Sequence, residues 1–272
     1  MKIHLIETIK NTYKYDVDTV YTLLFYIIEE VLSFKQLCDV YRQVCDYIGE
    51  TAVAFSLKAS VDDMHRIYSR KTVGYFQKLN IDPSFVLRFI TSIIESLVDS
   101  QIEETYNFFL NILISDSYGR TAREDIALFI DIDGVLNAVG GDIQDKQMDI
   151  LKEIADSCRK PRLILISYWR ENWEKDIQRN TPNGRYIDKM FFKHKMKIHD
   201  KTPILHTRNM EISLWLANHP EVKQFIVIDD DGETFTGQIY DNWLQTNTHT
   251  GLVKGDVLKA KQILKTTGES GV

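Results

Sequence analysis

Apolar residues recur at three- and four-residue intervals through the first 115 or so positions, and the pattern switches at Ile126 to short continuous runs. Val20, Leu23, Leu24, Ile27, Ile28, Val31 and Leu32 share one helical face, and Asp16 or Asp18 can cap a stretch running to about Phe34. A second helix from about Lys35 to Ile48 places Leu37, Tyr41, Val44 and Ile48 on one side, with Gly49 just past its end. Ser60 through Asp63 predicts a third start by the capping-box pattern. Asp82-Pro83 sets a fourth, with Val86, Phe89, Ile90, Ile93, Ile94 and Leu97 as its buried face. Ser100 with Glu103 opens a fifth, ending near Ser115. The expectation for residues 1–120 is a helical bundle.

Beyond Ile126, ALFIDID (127–133), RLILIS (162–167) and QFIVIDD (224–230) alternate with helical segments near 144–157, 209–218 and 254–265. Apolar runs spaced by helices predict a parallel sheet covered on both faces. Residues 121–272 are therefore expected to form an α/β domain, with the polar, aperiodic stretch 115–125 as the linker.

Composition narrows the picture. With 272 residues, 44% hydrophobic and 26% charged, the chain has room for two globular domains and lacks the bias of disorder. The longest apolar run, Val20 to Ile28, is about half a bilayer span and is closed by Glu29 and Glu30, so no membrane helix is expected. No signal peptide is readable at the N-terminus, which gives the expectation of a cytoplasmic protein. Cys38 and Cys45 lie about 10 Å apart along a helix axis, too far for a disulfide, and with Cys158 they read as buried thiols. The net charge of −6 divides into −4 over 1–124 and −2 over 125–272, so neither half is a basic module that holds nucleic acid by phosphate neutralisation alone.

The chemistry gathers where the apolar runs end. In open parallel sheets ligands bind outside the carboxyl ends of the strands. The first run ends in Asp131 and Asp133, the second in Ser167, the third in Asp229, Asp230 and Asp231. Five carboxylates cannot all ionise together without a cation, and a hard divalent metal such as Mg²⁺ suits carboxylates completed by a substrate phosphate. Asp131 can then act as nucleophile on phosphorus, and Asp133, two residues on and followed by Gly134, as general acid and base. Ser167 offers a hydroxyl to a phosphate oxygen. Arg208, just ahead of the helix containing Glu211 to Ala217, is the first candidate for the phosphate-facing cation, and Lys201 the reserve.

DIDGVLN after a hydrophobic strand, a Ser-ended second strand, a basic residue before a helix, and a strand ending in paired aspartates resemble the four motifs of the haloacid dehalogenase superfamily. TPILHTRNMEISLWLANHPEVKQFIVIDDD and HTHTGLVKGDVLKAKQIL resemble its bacterial and phage branch, the phosphatase modules associated with nucleic-acid repair such as that of polynucleotide kinase-phosphatase. The resemblance covers about 126–265 and says nothing of residues 1–120. It implies a Rossmann-like sheet, Asp131 as nucleophile, Asp133 as acid and base, and Ser167 as the hydroxyl that donates to a phosphate oxygen. It further implies metal carboxylates at Asp229 and Asp230, with the Ile132 carbonyl as a further ligand. Asp131, Asp133, Asp229 and Asp230 form the candidate metal set; which two of the triple aspartate face the metal, and whether Arg208 or Lys201 is the cation, stay open.

The basic stretch from Arg185 to Lys201 reads either as a solvated face or as a track for an extended anionic substrate, and Trp169, Trp173, Trp215 and Trp243 read as packing residues. Only 40 residues separate Ser167 from Arg208 and the loop from Gly134 to Gln144 is short, so no large folded cap is expected. The first functional expectation is a Mg²⁺-dependent phosphomonoester hydrolase acting on a small molecule, a nucleic-acid end or a phosphoprotein. The runners-up are a catalytically silent binding protein whose N-terminal helices recruit a protein partner, and a phosphotransferase to a non-water acceptor.

Overall fold

The computed structural model describes residues 1–52, 60–79, 81–138 and 140–269. Its contacts divide the chain into two compact units: Met1–Leu110 with Asp176–Pro182, and Asn111–Lys175 with Asn183–Val272.

The first unit is helical, as its apolar periodicity requires. It holds α1 (Lys2–Tyr13), α2 (Val17–Tyr26), α3 (Phe34–Ile48), α4 (Val61–Lys78), α5 (Pro83–Ser96) and the first part of α6 (Asp99–Thr121). The starts follow local chemistry. Asp16 accepts from the Thr19 N–H, Ser60 from Asp63 and Asp82 from Ser84, each satisfying a donor that the first turn leaves open. The helix expected to reach Phe34 instead passes into a π-turn over Ile27–Val31 and breaks at Leu32. The cause is Ser33, which forms a capping box with Gln36 and so starts α3. Helix α1 was not foreseen; its buried residues are only Leu5 and Ile9, too few to show a period. Leu23, Leu24, Ile28, Val44, Phe76, Ile90 and Ile94 are fully buried in this unit. The third helix's approach, residues 53–59, lies outside the described residues.

The second unit is a five-stranded parallel sheet of order β3-β2-β1-β4-β5, comprising β1 (Arg123–Ile130), β2 (Pro161–Leu165), β3 (Asp200–Lys201), β4 (Gln224–Asp229) and β5 (Trp243–Gln245). Side chains alternate across the strands. Leu128, Ile130, Leu163, Leu165, Ile226 and Ile228 pack with α7 (Asp145–Ser157), α8 (Pro182–Lys193) and α11 (Asp256–Glu269) on one face. Ala127, Phe129, Ile164, Phe225 and Val227 meet Ile212 and Trp215 of α9 (Arg208–Asn218) and Ile239 of α10 (Gly237–Asp241) on the other. The chain builds outward from β1 through β2 to β3, then crosses back to β4 on the other side of β1. That reversal opens a crevice at the carboxyl ends of β1 and β4.

Two expectations are corrected. The stretch 115–125 is not a linker: α6 continues to Thr121 and β1 begins at Arg123. Tyr118 is buried and its phenol donates to the Pro161 carbonyl at 3.0 Å, while Lys197 pairs with the buried Asp116 at 2.5 Å. Polar residues here belong to a helix end, some exposed as Ser117 and Arg120 are and some buried as Ser115 and Asp116 are, rather than to free chain. The two short strands β3 and β5 were also unforeseen, being two and three residues long. The cysteines are free, as expected, but only Cys45 and Cys158 are buried; Cys38 is half-buried.

If the end of α6 belongs to the sheet's core, Tyr118→Ala should destabilise the protein by about 3–5 kcal/mol in denaturant unfolding, and Tyr118→Phe by about 1 kcal/mol. A linker residue would tolerate both.

The His199 imidazole supplies a pH prediction. Its Nδ1 accepts the Leu163 N–H at 3.0 Å, and burial pulls its pKa down from 6.5 to about 4. Between those values the unfolded state binds more protons than the folded one, so stability falls as pH drops through that window. The loss is on the order of 3 kcal/mol. In His199→Asn, which keeps an acceptor but does not titrate, the difference in unfolding midpoint between pH 7 and pH 4.5 should shrink.

Candidate active site

At the end of β1 the chain must turn and still present carboxylates. The Asp131 N–H donates to Ile228 at 3.0 Å, continuing the β1–β4 ladder one residue beyond the strand. Gly134 then takes a positive φ of 68°, and a Cβ there would overlap the Asp230 carboxylate, so both backbone and space require glycine. Thr246 ties this turn by donating its hydroxyl to the Gly134 carbonyl at 2.7 Å.

Asp131, Asp229 and Asp230 each bring a carboxylate oxygen within 4.8 Å of the other two. Asp131 and Asp229 are buried, and Asp230 is half-buried. Arg208 lies between the first two, its guanidinium 3.1 Å from Asp131 Oδ2 and in close contact with Asp229 Oδ2. Thr207 caps α9 and so fixes the position of Arg208, the helix's first residue.

These charges shift one another. Burial raises the Asp131 pKa, while the Arg208 charge, the Ile132 N–H and Ser167 oppose it. Burial, then the Asp131 charge, push Asp229 up to about 7 against the pull of Arg208 and the Asp231 N–H. Burial alone would lower Arg208, but the two aspartates outweigh it and hold its pKa above the usual arginine value. One guanidinium thus serves two buried carboxylates, with Asp230 close by.

A divalent cation fits this donor set. Asp131 Oδ1 is buried and has no hydrogen-bond partner, an orphaned acceptor among three converging carboxylates. Hard oxygen ligands of this kind suit Mg²⁺.

The remaining expected residues fall as follows. Asp133 lies outside that three-carboxylate group: its Oδ2 accepts the Trp169 indole N–H at 2.9 Å and its Oδ1 the Asn137 amide at 3.1 Å. Ser167 is buried at the end of β2, where its Oγ accepts the Trp169 N–H at 3.3 Å and caps a 3₁₀ turn over Tyr168–Glu171. Asp231 is exposed and caps its own loop by accepting the Glu233 N–H at 3.0 Å. Lys201 donates to the carbonyls of Arg170 at 3.1 Å and Trp173 at 2.6 Å and pairs with Glu174, so Arg208 and not Lys201 is the cation at the aspartates. The basic stretch is largely compensated: Lys193 pairs with Asp145 at 2.6 Å and Lys197 with Asp116, and Arg185 is buried.

Three residues here escaped sequence reasoning. Trp169, assigned to packing, holds Asp133. Arg170 is fully buried and pairs with buried Glu211 at 2.7 Å, while donating to the carbonyls of Ser167 at 2.8 Å and Thr202 at 3.2 Å. Burial lowers the Arg170 pKa, with Glu211 opposing and Arg208 adding to the fall. The only available signal was an arginine three residues after a strand-ending serine and a glutamate three residues after Arg208.

Comparison with known proteins agrees with this arrangement. Residues 127–257 match the family described as the HAD domain in Swiss Army Knife RNA repair proteins. No curated protein and no solved structure matches the chain. The matched span runs from within β1 through β5 and includes every residue of the aspartate site. The α/β half of this chain is a haloacid dehalogenase superfamily domain of the nucleic-acid-repair branch, in a family of phosphatase-type hydrolases.

Proposed function

We propose that the domain is a Mg²⁺-dependent phosphomonoesterase that works through an aspartyl-phosphate on Asp131. The observation that carries this reading is the buried, partnerless Oδ1 of Asp131 beside Asp229, Asp230 and the Arg208 guanidinium. A carboxylate oxygen with no hydrogen bond keeps its lone pair available to act as a nucleophile.

Asp131, Asp229 and Asp230 would hold the metal, which when bound would offset their mutual repulsion and the charge of the phosphoryl oxygens. Asp131 attacks phosphorus; the new P–O bond forms as the bond to the leaving oxygen breaks. Asp133, oriented by Trp169 and Asn137, gives its proton to that leaving oxygen. It then takes a proton from the water that attacks the phospho-aspartate, which returns Asp131 and releases phosphate. Ser167 and Arg208 face the transferring group from β2 and α9.

The site is open in this reading. The longest element between Ser167 and Arg208 is α8, whose Ile187 and Phe191 pack into the sheet's own core. A bulky phosphoester can then reach the carboxyl edge.

Two measurements test this. Asp131→Asn should keep less than a tenth of wild-type phosphatase activity, a barrier increase of more than about 1.4 kcal/mol, and should form no acid-stable phospho-enzyme. Activity above a tenth would remove the covalent mechanism. Mg²⁺ should stabilise the protein against unfolding by about 2.7 kcal/mol at a hundredfold excess over its Kd. Asp230→Asn should weaken that shift, and a chelator should abolish turnover. Turnover indifferent to the chelator would take the metal out of the mechanism.

A further inference from the structure

The first turn of α9 carries two charged side chains, Arg208 and, three residues on, the buried Glu211. Opposite charges at this spacing are neighbours on a helix and can pair with one another. Here each goes elsewhere. Arg208 reaches Asp131 at 3.1 Å and also contacts Asp229, while Glu211 Oε1 takes the Arg170 guanidinium at 2.7 Å and the Leu205 N–H at 3.0 Å.

Arg170 is held ready for that carboxylate. Its guanidinium donates to the Ile166 and Ser167 carbonyls just past β2 and to those of Thr202 and Pro203 just past β3, the last three at 2.8, 3.2 and 3.3 Å. Four carbonyls from two segments fix the planar fork without any help from α9. The ion pair is a poor source of stability. Its side chains are only 1% and 4% exposed, and Glu211 Oε2 is buried with no hydrogen-bond partner. A desolvated pair with an unmet acceptor is about neutral against an apolar replacement. Its value must lie in what it arranges.

We propose that Arg170 is a positioning residue for Arg208: by occupying Glu211, it keeps that carboxylate from capturing the guanidinium three residues earlier and leaves Arg208 to Asp131 and Asp229. The unpartnered Glu211 oxygen gives the competitor capacity to spare. Without Arg170, Glu211 would be a buried charge in need of a counter-ion, and Arg208 is the one cation on its own helix. The two guanidiniums are neighbours already, 6.0 Å (Arg170) and 5.7 Å (Arg208) from the centroid of the same Tyr168 ring. The proposal rests on the phosphatase reading only for its effect on turnover. Its effect on the aspartates is separate, because Arg208 and a divalent cation compete for the same carboxylate oxygens.

Three full-length variants are compared with wild type: Arg170→Met, Glu211→Gln and the two together. Mg²⁺ affinity is measured by calorimetry without phosphate, and turnover with phenyl phosphate, at a temperature where unfolding curves show each protein folded. In Arg170→Met, Glu211 draws Arg208 off the aspartates. Mg²⁺ should then bind about threefold or more tightly while kcat falls about tenfold or more and KM changes less. Glu211→Gln keeps an acceptor for the Leu205 N–H and should stay within about threefold of wild type in both measurements. The double variant should return both to that range, since no competing carboxylate remains. A pair that only holds the fold predicts loss from either side, Mg²⁺ affinity unmoved or weaker in Arg170→Met, and no rescue; any of these overturns the proposal. Where Arg170→Met is too unstable to purify, the double variant decides: folded but tenfold or more slower than wild type, it overturns the proposal. Wild-type protein that binds Mg²⁺ but hydrolyses no ester defeats the phosphatase and leaves this proposal to the affinities. Wild-type hydrolysis with unmoved affinities across the variants defeats this proposal and leaves the phosphatase.

Discussion

The second unit is organised around one electrostatic problem: Asp131 and Asp229 are buried side by side, with a single guanidinium between them. A buried carboxylate needs a partner, and two adjacent ones each raise the other's proton affinity. Arg208 answers part of that demand, and the orphaned Asp131 oxygen shows that it does not answer all of it. The site is therefore built to receive more positive charge, or a proton, or both. A fold selected for stability alone would have replaced one carboxylate with an apolar residue of similar volume, since buried charge is seldom a net gain.

The sheet makes this arrangement possible at low conformational cost. Because β1 and β4 are neighbours and parallel, the residues that follow their last apolar positions emerge at the same edge. Asp131 is tied to the β4 backbone by its own N–H, so its position is as rigid as the strand. Gly134 then lets Asp230 approach the turn more closely than any side chain would allow. The Arg170–Glu211 pair fastens the third contributor. Arg170 follows β2 and Glu211 sits in the first turn of α9, so the pair links the Ser167 segment to the helix that carries Arg208.

Much of this was legible because each level of the sequence pointed the same way. The strand runs ending in Asp131, Ser167 and Asp229 are continuous and apolar, which specifies central parallel strands, and the helix caps at Asp16, Ser60 and Asp82 announce themselves by residue type. What was illegible has physical causes. Strands β3 and β5 are too short for a pattern, and they are held by pairing to a neighbour rather than by their own propensity. The last turns of α6 look like a linker because polar residues crowd them, and the buried Asp116 and Tyr118 find their partners on the distant segment before β3 and on β2. Lys201 and Arg208 could not be ranked from spacing, since the choice depends on which cation already has carbonyls and a carboxylate to satisfy it. Lys201 does.

Trp169 shows why composition misleads at such sites. A tryptophan next to a strand end reads as packing, and its ring does stand against the sheet's core. Its N–H, however, must find an acceptor once half-buried, and the acceptor it finds is Asp133. The same side chain thereby holds Asp133 and forms a wall of an adjoining cavity. A change in what occupies that cavity would press on the ring, and through the indole N–H on the Asp133 carboxylate. The cavity and the Asp133 carboxylate are thus coupled through one residue, with no moving part required.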